Sequence, residues 1–167
     1  MSSTEHKKHA PSELTIGLLT ISTTRSEAED KAGLWIRKRI AKEGHSTVLY
    51  KVIPDDRHVI EKTVLDALIN ISPDALILTG GTGISAKDVT IEAIRPLLSK
   101  ELTAFGAIFS QLSFEEIDSA ALLSRATAGI AMVTVIFCIP GSISAVKLAC
   151  SALIFPELGH LIRHIKE

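Results

Sequence analysis

Three glycines and a carboxylate at the end of an apolar run are the residues of this sequence best suited to chemistry. Residues 76–79 lead into Gly80, Gly81 and Gly83, and Asp88 follows before a segment with helical spacing. Glycine adopts positive φ and lets a ligand approach the backbone. Backbone N–H groups at the carboxyl end of a parallel strand form an anion site. The stretch therefore predicts an oxyanion or phosphate cradle, and a tight turn with no ligand is the alternative.

The spacing of these glycines excludes two common nucleotide-binding motifs. The stretch "TGGTGISAKD" contains neither the G-x-x-x-x-G-K-[ST] pattern of a P-loop nor the G-x-G-x-x-G pattern of a dinucleotide fold. A P-loop enzyme or a nicotinamide-dependent enzyme is therefore disfavoured.

Two further aspartates follow another predicted strand. Asp55 and Asp56 come directly after Pro54, where we expect them to share an edge of the sheet with the glycines. A carboxylate beside an anion cradle is repelled unless a cation joins them, and Mg²⁺ bridges carboxylates to phosphates. The pattern predicts that Asp88 and one of Asp55 and Asp56 hold one Mg²⁺ or divide metal and base roles. Alternatively, one of Asp55 and Asp56 caps the next helix, and Asp88 is a helix-start acid.

A second glycine turn and several polar side chains complete the predicted site. The turn "CIPGS" again closes a strand and opens a helix, and two anion-type turns at one edge indicate an extended ligand with phosphate. An arginine suits phosphate or carboxylate, although a surface salt bridge is the alternative. The additional candidate substrate-binding residues are Ser22, Arg25, Thr82, Thr90, Ser124, Arg125, Pro140, Gly141 and Ser142.

The elements that must position these residues alternate between strand and helix patterns. Strands are predicted at residues 14–22, 46–53 and 74–78, separated by helices at 27–45 and 55–72. Gly44 is the expected stop of the first helix. The order β-α-β-α-β predicts an α/β fold with a parallel sheet and helices on both faces.

From Thr90 onward the sequence predicts helices and strands with less definite boundaries. We expect Thr90 to cap a helix over residues 91–100 and residues 101–124 to be helical in pieces. Residues 128–142 are apolar and β-branched, which predicts one or two strands, and the chain closes with a helix.

Composition limits the class of protein. The 167 residues are 46% hydrophobic and 22% charged, which indicates a single domain at 13–167 after a disordered polar tail at 1–12. A net charge of −1 argues against nucleic acid, and no segment predicts a membrane span or a signal peptide. Cys138 and Cys150 are expected to be core residues in a reducing cytoplasm.

The histidines give no clear metal pattern. His6 and His9 in the tail could bind metal, although a solvated tail is the preferred interpretation. The remaining candidates are interpreted as surface or packing residues: His45, His58, His160 and His164.

Together these stretches resemble the molybdenum cofactor biosynthesis proteins of the MoaB and MogA type, and the MoaB branch more closely. The matching pieces extend from about Leu14 to the end of the chain, and their combination is specific. They are "IPDD", "LILTGGTGISAKDVTIEAI", "LLSRATAGI", "VIFCIPGSISAV" and "PELGHLI".

The resemblance implies a three-layer αβα sandwich that binds molybdopterin, a pterin dithiolene with a terminal phosphate. It implies Mg-ATP-dependent adenylylation of that phosphate, which gives adenylyl-molybdopterin and pyrophosphate. By this resemblance the two essential aspartates of the family correspond to Asp55 and Asp88. It also implies that residues 80–83 cradle the pterin side and that the rest of the site is lined by Ser124, Arg125, Pro140, Gly141 and Ser142. The resemblance also implies a trimer or a hexamer.

The chain departs from the family pattern in two stretches. An acid usually stands where this chain has Thr23, and "AFGAIFS" replaces the usual G-F-G-E-L-F-R, with Ala107 and Ser110 in place of an acid and a base. A non-catalytic homologue that binds molybdopterin or a nucleotide is therefore the alternative function, and a structural oligomer is a third.

Overall fold

Six strands form one mixed sheet in the part of the chain that the computed structural model describes, residues 13–167. The predicted tail at 1–12 lies outside these residues. The strand order is β2-β1-β3-β6-β5-β4, and β5 runs antiparallel to both of its neighbours while the other pairs are parallel. The strands are β1 (Thr15–Ile21), β2 (Ser46–Ile53), β3 (Ala75–Thr79), β4 (Lys100–Glu101), β5 (Thr127–Ala131) and β6 (Thr134–Ile139).

Helices cover both faces of this sheet. The helices are α1 (Lys31–Lys42), α2 (Arg57–Asp66), α3 (Thr90–Ile94), α4 (Thr103–Ile117), α5 (Ile143–Leu148) and α6 (Phe155–Lys166). Wider π-helical turns extend α2 over Ala67–Ile71 and join α5 to α6 over Ala149–Ile154.

Alternating side chains of the strands build two separate cores. Ile77 and Phe137 face a core formed with α1, α4, α5 and α6, whereas Leu78 and Cys138 face a core formed with α2 and α3. This alternation follows from the two-residue repeat of a strand. The predicted three-layer α/β fold with a mostly parallel sheet is therefore confirmed.

Local signals in the first half of the sequence act as predicted. Gly44 follows α1 with φ +82°, which is the left-handed conformation that glycine favours at a helix end. Asp56 caps α2, since its side chain accepts a hydrogen bond of 2.9 Å from the Val59 N–H. The capping role falls on Asp56, so Asp55 remains available for other contacts.

The helix predicted at 91–100 is shorter than expected. It ends at Ile94 and continues as a 3₁₀ turn over Arg95–Leu97, because Pro96 lacks the N–H that an α-helix needs. The prediction that Thr90 caps this helix is wrong: Val89 occupies the cap position and Thr90 is the first helical residue. The Thr90 hydroxyl donates instead to the Gly80 carbonyl at 2.8 Å.

Residues 128–142, for which the sequence predicts one or two strands, contain parts of two strands. β5 and β6 pair as a hairpin whose turn includes Met132 at φ +54°.

Both cysteines, Cys138 and Cys150, are free and buried, which confirms them as core residues. Burial raises the pKa of the Cys138 thiol well above its usual range and that of Cys150 to about 12.

The C-terminal helical segment Ile143–Lys166 is by length and composition capable of crossing a membrane. Core helices of other proteins satisfy the same criterion. One stripe of this segment is buried in the core on the α1 side of the sheet, and it consists of Val146, Cys150, Ile154, Leu158 and Ile162.

Candidate functional site

The carboxyl ends of four parallel strands lie at one edge of the sheet. Ser22 follows β1, Asp55 lies beyond β2, Gly80 follows β3 and Pro140 follows β6. These ends surround a cavity of about 260 Å³, called the cradle cavity here. The predicted site residues that line it are Ser22, Arg25, Asp55, Gly80, Gly81, Thr82, Gly83, Asp88, Ser124, Pro140 and Gly141.

The glycine loop after β3 needs its glycines for conformation and for space. Gly80 and Gly81 have φ of +100° and +62°, a region that other residues rarely adopt. A Cβ on Gly80 would collide with the Ile21 carbonyl oxygen, and one on Gly81 would lie 2.5 Å from the Thr90 Oγ1 atom. A Cβ on Gly83 would lie 2.8 Å from Asp88 Oδ2. The loop therefore runs in close contact with both of its neighbouring segments.

The second glycine turn packs directly on the first. A Cβ on Gly141 would lie 3.1 Å from the Gly80 Cα atom, and the Thr79 hydroxyl donates to the Pro140 carbonyl at 3.1 Å. The Gly80 N–H donates to the Ile139 carbonyl at 3.0 Å. The predicted pair of anion-type turns thus forms one continuous wall.

Asp55 is held in place by the segment after β1. Its Oδ2 atom accepts hydrogen bonds from the Thr23 N–H at 2.8 Å and from the Thr23 hydroxyl at 2.9 Å. Its Oδ1 atom lies 3.3 Å from the position that a Gly81 Cβ would occupy. One oxygen is therefore occupied by Thr23, and the other lies beside the glycine loop.

Asp88 lies at the other end of the same loop. Its Oδ2 atom accepts a hydrogen bond of 2.8 Å from the Ser85 N–H, and its own N–H donates to the Ser85 carbonyl at 3.0 Å. These contacts fold residues 85–88 into a tight turn that brings the carboxylate against Gly83. Asp55 and Asp88 thus line one cavity from two sides.

Arg125 uses its guanidinium to brace the glycine loop. Its Nε atom donates to the carbonyls of Thr82 and Gly83, both at 3.0 Å, and its Nη1 atom donates to Glu92 at 2.6 Å. The hydrogen bond from Arg125 holds the pKa of the Glu92 carboxyl below its usual range, although partial burial opposes this shift. Arg125 borders the site without lining the cradle cavity, and its position suits holding the loop more than binding an anion.

Ser142 and Arg25 extend the site in another direction. The Ser142 hydroxyl caps α5 by accepting from the Ala145 N–H at 3.3 Å. Both residues line a neighbouring cavity of about 340 Å³, which also contacts Lys31. Within residues 13–167, the Arg25 guanidinium makes no hydrogen bond or ion pair. Arg25 therefore presents an unpaired positive charge to the cradle cavity.

A larger cavity of about 570 Å³ adjoins the cradle cavity across Ser124. Ile91, Phe114 and Leu122 give it apolar walls, and no aspartate or glutamate among residues 13–167 lines it. Ala107 and Ser110, the two α4 residues that differ from the family pattern, both line this larger cavity. Asp55 and Asp88 both line the smaller cavity, whereas the walls of the larger one suit an apolar or planar part of a ligand.

Several residues that shape the site were not among the sequence predictions. Thr23 and Glu92 act as partners of Asp55 and Arg125, and Leu123 adds an apolar contact to the cradle cavity. No local pattern identifies such partners, because the paired residues are up to 33 positions apart.

A buried carboxylate behind the site was also not predicted. Asp30 accepts hydrogen bonds from the Thr20 hydroxyl at 2.5 Å, the Tyr50 hydroxyl at 2.9 Å and the Gly33 N–H at 2.9 Å. It caps α1 and fixes the end of the segment that carries Arg25. A sequence signal for it existed, since aspartate is one of the residues preferred directly before the first residue of a helix, here Lys31.

Comparison with known proteins agrees with this geometry. Residues 15–160 match the family model described as "Probable molybdopterin binding domain". The chain is 45% identical to Molybdenum cofactor biosynthesis protein B of Bacillus subtilis, over 100% of this chain and 99% of that protein. It is 41% identical to the Molybdopterin adenylyltransferase of Pyrococcus furiosus, over 98% of both chains.

A solved structure supports the same assignment. The crystal structure of a Molybdenum cofactor biosynthesis protein B superposes with a TM-score of 0.91 at 41% identity, covering 95% of this chain and 99% of that one. Sequence and fold therefore agree over nearly the whole length of the chain. The chain belongs to the MoaB and MogA family of molybdenum cofactor biosynthesis proteins.

Proposed function

We propose that this protein is a molybdopterin adenylyltransferase, which transfers AMP from ATP to the terminal phosphate of molybdopterin. The observation that carries this proposal is the pair Asp55 and Asp88, which lie on two sides of a positive-φ glycine loop in one cavity. The name of the Pyrococcus furiosus relative supports the same activity.

The proposed reaction is an attack by a molybdopterin phosphate oxygen on the α-phosphorus of ATP. One P–O bond forms there, and the bond from the α-phosphorus to the α,β-bridging oxygen breaks, so pyrophosphate leaves with that oxygen. Such a transfer depends mainly on alignment and on stabilising negative charge. The N–H groups of residues 81–83 and the Arg25 guanidinium can supply these contacts, whereas the Gly80 N–H is bonded to Ile139.

Asp55 and Asp88 fit a Mg²⁺ ion that is held jointly with substrate phosphates. No set of three or more His, Cys, Asp or Glu side chains within residues 13–167 is arranged to hold an ion. Mg²⁺ is commonly bound by one or two carboxylates together with phosphates and water. When bound, the ion neutralises phosphate charge. We assign Asp88 to metal and phosphate alignment, and Asp55 to metal or substrate orientation.

The two adjoining cavities suggest how an extended substrate is divided. The cradle cavity, at about 260 Å³, has room for phosphate groups, and ligand pockets for whole molecules are larger, about 300–1,000 Å³. We place the phosphates against residues 80–83 and Pro140, Gly141 and Ser142, and the pterin ring across Ser124 in the larger cavity. Thr90 and Arg125 hold the loop that separates the two spaces.

A binding module without turnover is the second candidate. It is favoured by Ala107 and Ser110, which leave the wall of the larger cavity without the acid and base of the family pattern. The retention of Asp55 and Asp88 in the cradle cavity favours the enzyme.

We propose that the chain, folded as one domain over residues 13–167, works as a trimer or hexamer in the cytoplasm. Exposed apolar side chains of α4 that line neither cavity support self-association, namely Ile108 and Ile117. Free buried cysteines fit a reducing compartment, and the net charge of −1 gives no basis for nucleic-acid binding.

The test is a turnover assay with purified protein, molybdopterin and Mg-ATP, in which adenylyl-molybdopterin and pyrophosphate are both quantified. We expect product from the parent protein and a loss of at least about 100-fold in Asp88→Asn. Molybdopterin binding is measured alongside by fluorescence. Binding without product would support the binding module, and absence of both would reject the two proposals together.

A further inference from the structure

Two histidines on the last helix face each other far from the cradle cavity. His160 and His164 lie one turn apart on α6, with their Nε2 atoms 3.0 Å apart and their ring centroids 4.7 Å apart. His45, by contrast, stacks on Phe155 at 6.4 Å between centroids, as expected for a packing residue. In the α6 pair one Nε2–H donates to the other Nε2, and an ion that binds both nitrogens would displace that proton.

A carboxylate faces the other nitrogen of each ring. His160 Nδ1 lies 3.2 Å from Glu157 Oε2, and His164 Nδ1 lies 3.3 Å from Glu167 Oε2. Arg163 pairs with the remaining Oε1 atom of Glu167 at 2.8 Å. A histidine that donates its Nδ1–H to a carboxylate presents the lone pair of Nε2, and metal-binding histidines commonly have such a partner.

We propose that His160 and His164 form a two-imidazole site for one divalent transition-metal ion such as Zn²⁺, Ni²⁺ or Cu²⁺. An ion that binds two nitrogens at about 2.0–2.1 Å holds them about 2.8–3.4 Å apart in octahedral or tetrahedral geometry. The observed separation of 3.0 Å lies within that range. Imidazole nitrogen suits this class of ion better than Mg²⁺ or Ca²⁺.

The site is open and exchangeable. Within residues 13–167 no group of three or more His, Cys, Asp or Glu side chains is arranged to hold an ion, so the two imidazoles are the protein ligands that this part of the chain supplies. The His164 side chain is 55% exposed and that of His160 is 27% exposed, which gives an ion access from solvent. Structural zinc sites, with four protein ligands, differ from this arrangement.

The site is separate from the proposed adenylylation site. His160 lies 18 residues beyond Ser142, where the C-terminal helical segment leaves the cradle wall, or about 27 Å at 1.5 Å per residue. The inference therefore does not depend on the proposed function.

The test titrates the metal-free, full-length protein with Zn²⁺ and with Cu²⁺ by calorimetry. We expect one ion per chain, and a loss of affinity greater than about tenfold in His160→Gln and in His164→Gln. Electron paramagnetic resonance of the Cu²⁺ complex should show two nitrogen ligands in the parent and one in either variant. Glu157→Gln should weaken binding by about 10-fold to 100-fold.

Two controls separate this site from other histidines. His58→Gln changes an exposed histidine on α2 and should leave binding intact, as should the double variant His6→Gln and His9→Gln in the tail. Circular dichroism checks that each variant is folded, and His164→Gln serves if His160→Gln is not. Unchanged affinity in folded His164→Gln, or a loss confined to the tail variant, would overturn the proposal.

Discussion

The Thr23 side chain and backbone together hold one carboxylate oxygen of Asp55, with N–H and Oγ1 distances of 2.8 and 2.9 Å to Oδ2. A carboxylate at position 23 would repel Asp55, whereas the threonine present there donates two hydrogen bonds to it. The consequence is a fixed carboxylate orientation before any ligand binds.

Replacement of Thr23 should therefore alter turnover through Asp55. Thr23→Val removes the hydroxyl donor but keeps the backbone donor, and we expect kcat to fall about tenfold because misplacement of an aligning group is costly. Thr23→Ser should retain near-parental kcat. Steady-state kinetics of adenylylation give the comparison, and equal rates for the valine and serine variants would show that the hydroxyl does not position Asp55.

Asp55 and Asp56 are adjacent, yet we expect alanine substitution of the first to affect turnover and of the second to affect stability. Asp55→Ala should reduce turnover by at least about 100-fold with little change in stability. Asp56→Ala removes the α2 cap, so we expect a loss of about 1 kcal/mol and a Tm lower by about 2–4 °C, with turnover retained. Calorimetry and turnover are measured on both proteins. Similar turnover losses in the two variants would contradict the separate roles.

The Gly80 backbone should tolerate no side chain. Gly80→Ala places a Cβ against the Ile21 carbonyl at φ +100°, and we expect a loss of about 1–3 kcal/mol in the free energy of unfolding. Gly141→Ala is the milder control, because its nearest contact would be 3.1 Å and its φ lies outside the left-handed region. Urea unfolding compares them, and equal losses would show that the Gly80 conformation is not the cause.

Asp74 should make stability depend on acid pH. Its Oδ1 atom pairs with Lys166 at 2.6 Å, and Thr15 donates twice to its Oδ2 atom. Burial raises the pKa of Asp74, but the hydrogen bonds from Lys166 and Thr15 outweigh burial and hold it below its usual value.

A carboxyl whose pKa is lower in the folded protein stabilises the fold above its unfolded pKa of about 3.9. That stabilisation is lost as pH falls through the lower, folded value. Asp74→Asn should therefore be less stable than the parent at pH 7, and the difference should shrink below about pH 4. Urea unfolding from pH 7 to pH 3 measures this, and a constant difference across the range would contradict the linkage.

The position of the cradle cavity could be predicted from the sequence, because it follows from the direction of the strands. Once β1, β2, β3 and β6 are parallel, the residues after each strand must meet at one edge, which places Asp55 near Gly80 without knowledge of side chains. Local reasoning also predicted that one of Asp55 and Asp56 caps α2, and the structure identifies it as Asp56.

The partners of the site residues were not predictable in this way. Thr90 occupies a plausible cap position, yet its hydroxyl donates to Gly80 because the glycine loop folds back over it. Arg125 resembled an anion ligand, yet its donors are engaged by Glu92 and two loop carbonyls brought near by the sheet. Such pairings depend on tertiary packing, which local spacing does not encode.

The Asp74–Lys166 pair and the glycine loop lie at opposite ends of β3. The five residues of that strand separate them by about 17 Å, and within residues 13–167 they share no hydrogen-bond partner. Changes that far apart usually have additive effects on free energy. Substitutions at the amino end of the sheet can therefore adjust the thermal tolerance of this protein while its reaction rate stays unchanged, which leaves natural variation or laboratory evolution free to change the two properties independently.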